Sequence, residues 1–178
     1  MRTFLLPLLL VLSLGSLTAA PVVGAPGLIR INSTIQTYSV SQPWERNTPT
    51  KRRGLGAVLS DLRILTTAEM VADTIYIELE SADGTRTAPA KVLAVDYEAN
   101  LALVTPIELD QSTWVKKINP LETNGPVDID GTLDIWQLED NGNAIRTVGT
   151  VRSVDQLSSF IAGYYFLSYE VKGSMQSA

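Results

Sequence analysis

The 178 residues include neither histidine nor cysteine, so any chemistry must come from carboxylates, hydroxyls, amides and cationic nitrogens. That excludes imidazole ligation of zinc, thiolate nucleophiles and an ordinary Ser-His-Asp arrangement within this chain. Among the carboxylates, Glu69 has the most suggestive setting. In ILTTAEMV, residues 64 to 71, a short apolar run and two threonines lead into one acidic side chain. A second stretch, EANLALV, places Asn100 31 residues after Glu69. A glutamate with an ordinary pKa of about 4.3 is a weak base at neutral pH unless burial or crowding raises it. An amide can orient a partner but cannot offset a positive charge. Two other constellations lead nowhere. The run from Asp128 to Asp134 with Glu139 at its twelfth position resembles a calcium loop, but its glycine, Gly131, is fourth instead of sixth, which reads as a turn before a strand. Gly54-Leu55-Gly56 is not followed by a helical pattern, so it is no phosphate-binding loop. No metal and no cofactor are expected.

The elements that must position Glu69 and Asn100 read as short strands. Ala57-Val58-Leu59 and Ile64-Leu65-Thr66 flank a turn at Ser60-Asp61. Ile75, Ile77 and Leu79 alternate with Tyr76, Glu78 and Glu80, and Ser81 to Thr85 turns the chain into a partner strand over 86–95. Leu101 to Val104 is a further strand ended by Pro106, and only one helical turn fits between Ala68 and Asp73. A second group follows the polar connection 116–126: Leu133 to Trp136 and 144–154 form a hairpin around Asn141-Gly142, and Tyr164 to Leu167 resumes a strand. Strands at roughly ten-residue spacing predict an all-β barrel class, with a complete six-stranded first barrel within residues 54–120, over about 54 to 115, and part of a second over 121–178.

The chain begins with Met1-Arg2-Thr3, a nearly unbroken apolar run from Phe4 to Leu17, and small residues to Ala20. Residues 1–20 therefore read as a signal peptide, too short for a comfortable membrane span, and the mature chain as secreted or periplasmic. Residues 21–53 read as a linker or N-terminal arm, with Trp44 as its anchoring side chain and Lys51-Arg52-Arg53 as a solvated face. Asn32-Ser33-Thr34 has the form of a glycosylation acceptor. Removing Arg2 with the leader leaves 13 basic against 19 acidic residues, a net charge of −6. That balance argues against nucleic acid or anionic lipid as partners. No stable membrane span is expected after cleavage, and a homo-oligomer is allowed.

Three stretches, Gly54 to Leu59 (GLGAVL), Arg63 to Val71 (RILTTAEMV) and Val95 to Val104 (VDYEANLALV), resemble the first-barrel motifs of trypsin-like serine proteases of the Deg/HtrA type, which read approximately GSGFVI, ILTNAHVV and D-x-E-x-DLALL. Gly149 to Val154 (GTVRSV) is similar to the family's SGVVSR strand. The resemblance implies a trypsin-like double β-barrel and places Glu69 at the position of the histidine base and Asn100 at that of the aspartate. It implies Ser174 or Ser177 as the weak nucleophile candidates and Gly173 as a weak oxyanion donor, although the family's GNSGGP string is absent. With base and orienter both replaced, the resemblance implies a non-catalytic pseudoprotease that binds a peptide or unfolded protein segment. The alternative is a serine endopeptidase with an unconventional site or with its remaining parts beyond Ala178. A second barrel this short further implies a fragment or an unusually short member, with any PDZ-like domain beyond these residues. The Asn100 amide is expected to donate to the Glu69 carboxylate, directly or through water.

Overall fold

A strand that alternates apolar and polar residues buries one row and exposes the other. Leu28–Ile35 (β1) does this with Ile29, Ile31, Ser33 and Ile35 turned inward. The computed structural model describes residues 27–108, 110, 112–158 and 165–173. Within them, β1, β2 (Thr50–Val58), β3 (Ile64–Thr66), β4 (Thr74–Glu80), β5 (Thr87–Asp96) and β6 (Leu101–Pro106) close into a barrel of order β1-β2-β3-β6-β5-β4. Each neighbouring pair in the barrel is antiparallel. The fold is all-β, with a complete first barrel and a partial second, as in the trypsin-like double-barrel class.

The barrel begins at Leu28, not at Gly54. Residues 21–53, read as an arm, supply β1 and the start of β2. The cause is that Ser33 interrupts the inward row of Ile29, Ile31 and Ile35, so no more than two apolar residues in succession mark the alternation. What is left of the arm is the β1–β2 connection, pinched by a bridge between Tyr38 and Arg46, whose guanidinium lies 5.5 Å over the Tyr38 ring. Trp44 anchors nothing there, being 79% exposed.

The core is the barrel interior. Ile29, Ile31, Ile64, Leu79 and Val104 are fully buried, and Trp114 and Val115, just after β6, pack against the same cluster. The second unit is an open sheet, β7-β8-β9, formed by Thr132–Leu138, Ala144–Ser158 and Tyr165–Gly173. Its β7–β8 hairpin closes as the Asn-Gly signal predicts: Glu139 N–H donates to Asn143 O at 2.9 Å, and Gly142 adopts φ +91°.

That hairpin tip rests on the barrel. A Cβ at Gly142 would stand 2.8 Å from Ala82 O, so both the left-handed backbone and the close approach require glycine. Beside it, Arg30 reaches outward from β1 and is only 3% exposed. It donates to Glu80 Oε1 at 3.3 Å, to Ala82 O at 2.9 Å and to Glu139 O, tying β1, the β4–β5 turn and the second sheet together. Glu80 also accepts from Arg53 at 2.7 Å and from Asn32 at 2.5 Å. Burial would raise its carboxyl, but the Asn32 hydrogen bond and the Arg53 and Arg30 charges together hold it below its ordinary value.

Candidate functional site

Glu69 sits in a single 3-10 turn, Ala68–Met70, between β3 and β4. The turn forms because Ala68 and Met70 are buried and leave no room for a longer helix before Thr74 begins β4. Met70 fills the space over Gly54: a Cβ there would come within 2.6 Å of Met70 Sδ, which is why the GLG stretch begins with glycine.

Three side chains hold the turn's main chain. Asn100 Oδ1 accepts from Glu69 N at 3.2 Å, Arg52 Nη1 donates to Glu69 O, and Ser33 Oγ donates to Met70 O at 2.6 Å. They come from the β5–β6 turn, β2 and β1 respectively. Asn100 occupies the left-handed region at φ 53°, a conformation asparagine tolerates better than most residues. Its turn is set by Asp96, whose Oδ1 accepts from the Glu98 and Ala99 N–H groups, each at 3.0 Å.

The two residues separated by 31 positions are therefore neighbours, but their contact differs from the expected one. Asn100 meets the main chain of residue 69 in place of its carboxylate, because the amide oxygen lies toward the exposed N–H at the start of the 3-10 turn. Glu69 itself is exposed, as is Asn100. The arrangement fixes where residue 69 stands and leaves its carboxylate available to solvent or a ligand. Asn100→Ala should lose the acceptor and strain the left-handed backbone, lowering stability by about 1–2 kcal/mol in urea denaturation. Asn100→Asp keeps an acceptor oxygen and should cost less than half as much.

Neither Arg52 nor Ser33 stands out by residue type, and Arg52 belongs to the basic run that reads as a solvated face. The signal was the alternation of TKRRGLGAV, which puts Arg52 in the row of Gly54, Gly56 and Val58, and of LIRINSTI, which puts Ser33 in the row of Ile29 and Ile31. Ser174 and Ser177 lie outside the described residues. Gly173 ends β9 opposite Gly149 and is exposed. A groove of about 390 Å³ runs over β1 between Lys51 and Arg53 on one side and Tyr76 and Glu78 on the other, and its lining includes neither Glu69 nor Asn100. No group of three or more acidic residues among those described could hold a metal ion.

No family model matches the chain. A curated relative, the mitochondrial protease Do-like 4 of Arabidopsis thaliana, is 29% identical over 133 residues, covering 70% of this chain and 25% of that protein. The chain spans about a quarter of the length of the first curated relatives it matches. Among solved structures, the Rv3671c protease of M. tuberculosis in its active form superposes with a TM-score of 0.60 at 18% identity, covering 86% of this chain and 63% of that one. The HtrA-type protease AlgW, solved with a decapeptide, gives a TM-score of 0.53 at 15% identity, covering 83% of this chain and 49% of its own. The solved structures share the trypsin-like fold, and in sequence the chain is similar to proteases of the Do-like, HtrA/Deg type.

Proposed function

We propose that this is an exported, non-catalytic protein of trypsin-like fold that binds peptide or unfolded protein segments. The observation that carries the reading is the contact between position 69 and Asn100, 3.2 Å from Glu69 N to Asn100 Oδ1. The positions that the resemblance assigns to base and orienter stand side by side, but they carry a carboxylate and an amide. A serine hydroxyl needs a base of near-neutral pKa, and the base needs a carboxylate to stabilise its charge once protonated. Position 69 carries no imidazole and position 100 no carboxylate. Binding an extended chain by edge pairing needs no base, and AlgW's decapeptide is in keeping with such a role. Export rests on the apolar leader within residues 1–20, and secretion or the periplasm is the proposed location. No helix among the described residues is long and apolar enough to cross a membrane.

The relatives named as proteases favour a second reading, an active serine endopeptidase whose remaining parts follow Ala178. The full-length gene product, purified with whatever sequence follows Ala178, separates the two. It should turn over no unfolded casein and take up no fluorophosphonate probe, while binding fluorescein-labelled unfolded casein in an anisotropy titration. Glu69→Gln should change that affinity without creating turnover. Stoichiometric labelling of Ser174 or Ser177, abolished by alanine at that serine, would overturn the non-catalytic reading; absence of casein binding would overturn the binding role.

A further inference from the structure

In a closed barrel every strand has two partners, and one of its two rows is buried. β5 departs from both rules over its second half. Among the described residues, it pairs β4 only from Thr87 to Ala90, opposite Glu80 to Ile77, and from Lys91 to Asp96 it pairs β6 alone. Residues 91 to 98 are all exposed, on both faces of the strand. Val92, Leu93, Val95 and Tyr97 are among the exposed large apolar side chains. The result is a two-stranded ribbon with an open edge, its base fixed in the barrel and its tip fixed by Asn100 on Glu69 N. An apolar edge held in extended form is a template for another strand.

The sequence of that edge says which strand. Lys91-Val92-Leu93-Ala94-Val95-Asp96, laid antiparallel against itself about the point between Leu93 and Ala94, sets Lys91 opposite Asp96, Val92 opposite Val95 and Leu93 opposite Ala94. Each charge meets its opposite twice, and the apolar residues meet only one another. A slip of one residue sets Lys91 against Tyr97 and Asp96 against Val92, so both ion pairs are lost. An arbitrary unfolded segment has no such match. The β-bulge between Val92 and Ala94 lies at the centre of this register and bends the edge there. We propose that β5 of one copy pairs antiparallel with β5 of a second copy through residues 91 to 96, forming a two-fold dimer with a four-stranded sheet across the contact. Such an isologous pairing consumes the open edge and stops at two.

Analytical ultracentrifugation of the purified chain over a dilution series tests this. The wild type should reach the mass of two chains. Lys91→Glu sets like charges opposite at both ends of the contact and should raise the dimer dissociation constant by roughly tenfold or more. Asp96→Lys should do the same, and an equimolar mixture of the two variants should restore wild-type association, since each introduced charge then faces its opposite. Asp96 also shapes the β5–β6 turn, so its variant is used only if its circular dichroism and melting match wild type; otherwise Lys91→Glu decides. A wild type that stays monomeric, a dimer indifferent to Lys91→Glu, or a mixture of two folded variants no tighter than either alone would each overturn the proposal.

Discussion

Glu80→Gln should lower the free energy of unfolding at neutral pH by about 3–5 kcal/mol, because it leaves a buried guanidinium without its counter-charge. Arg30 is 3% exposed and Glu80 9%, so water cannot replace the lost partner. The glutamine keeps the volume and can still receive Asn32, and Arg53, whose side chain is 47% exposed, can return to solvent. Arg30 has only the carbonyls of Ala82 and Glu139 left. The double replacement Arg30→Met with Glu80→Leu should recover most of the loss, since an apolar pair of similar volume carries no desolvation penalty. The carboxyl of Glu80 is held below its ordinary value in the folded chain. Its stabilisation is therefore complete above the unfolded value of about 4.3 and is lost as pH falls through the folded one. Asp83, in the neighbouring turn, is held at about 2, first by the Ser81 hydroxyl and then by the Thr85 N–H, and adds to the same acid window. Urea midpoints measured from pH 7 down to pH 2 should show the deficit of Glu80→Gln shrinking below about pH 4.

Leu79→Ala should cost about 2–5 kcal/mol, the range for emptying a fully buried leucine site. Leu79 is 0% exposed among Ile31, Ile64 and Val104 in the barrel interior. Those neighbours belong to strands fixed by hydrogen bonds on both sides, so they can collapse only partly into the space. Its deficit should be the same at pH 7 and pH 3, because no proton is involved. The two adjacent substitutions on β4 thus separate by pH although their neutral-pH effects overlap, and a Leu79→Ala deficit that faded in acid would contradict the placement of that side chain.

These two neighbours also mark how far the sequence could be read. Leu79 was legible as core because it falls on the apolar row of an alternating strand. Glu80 was read as the solvent row, and by position it is: it points away from the barrel interior. What buries it is the hairpin tip around Gly142, some sixty residues further along the chain, together with Arg30 from a strand that the alternation had not disclosed. Burial by a distant element leaves no periodic trace. Ile75 shows the converse, apolar and on the expected row yet half exposed, because β4 and β5 part company beyond the Ile77–Ala90 pair. The juxtaposition of Glu69 and Asn100 was legible only through the family-like motifs. The atoms that make it were not: an amide oxygen that accepts from a main-chain N–H looks, in sequence, the same as an amide that donates to a carboxylate.

β1 pairs β2 on one side and β4 on the other, and the second partnership has a consequence for a chain made from its N-terminus onward. Thr50 lies close behind β1, so that hairpin can form early during synthesis. Glu80, opposite Arg30, is fifty residues downstream of it, and β3 cannot be joined round to β4 until β6 has also emerged. The barrel closes last at the two β6 seams, and before that β1 must wait for a partner fifty residues away, a non-local pairing of the kind that slows β-barrel folding. Until then β1 carries an unpaired edge, and the buried Arg30 has nothing yet to neutralise it.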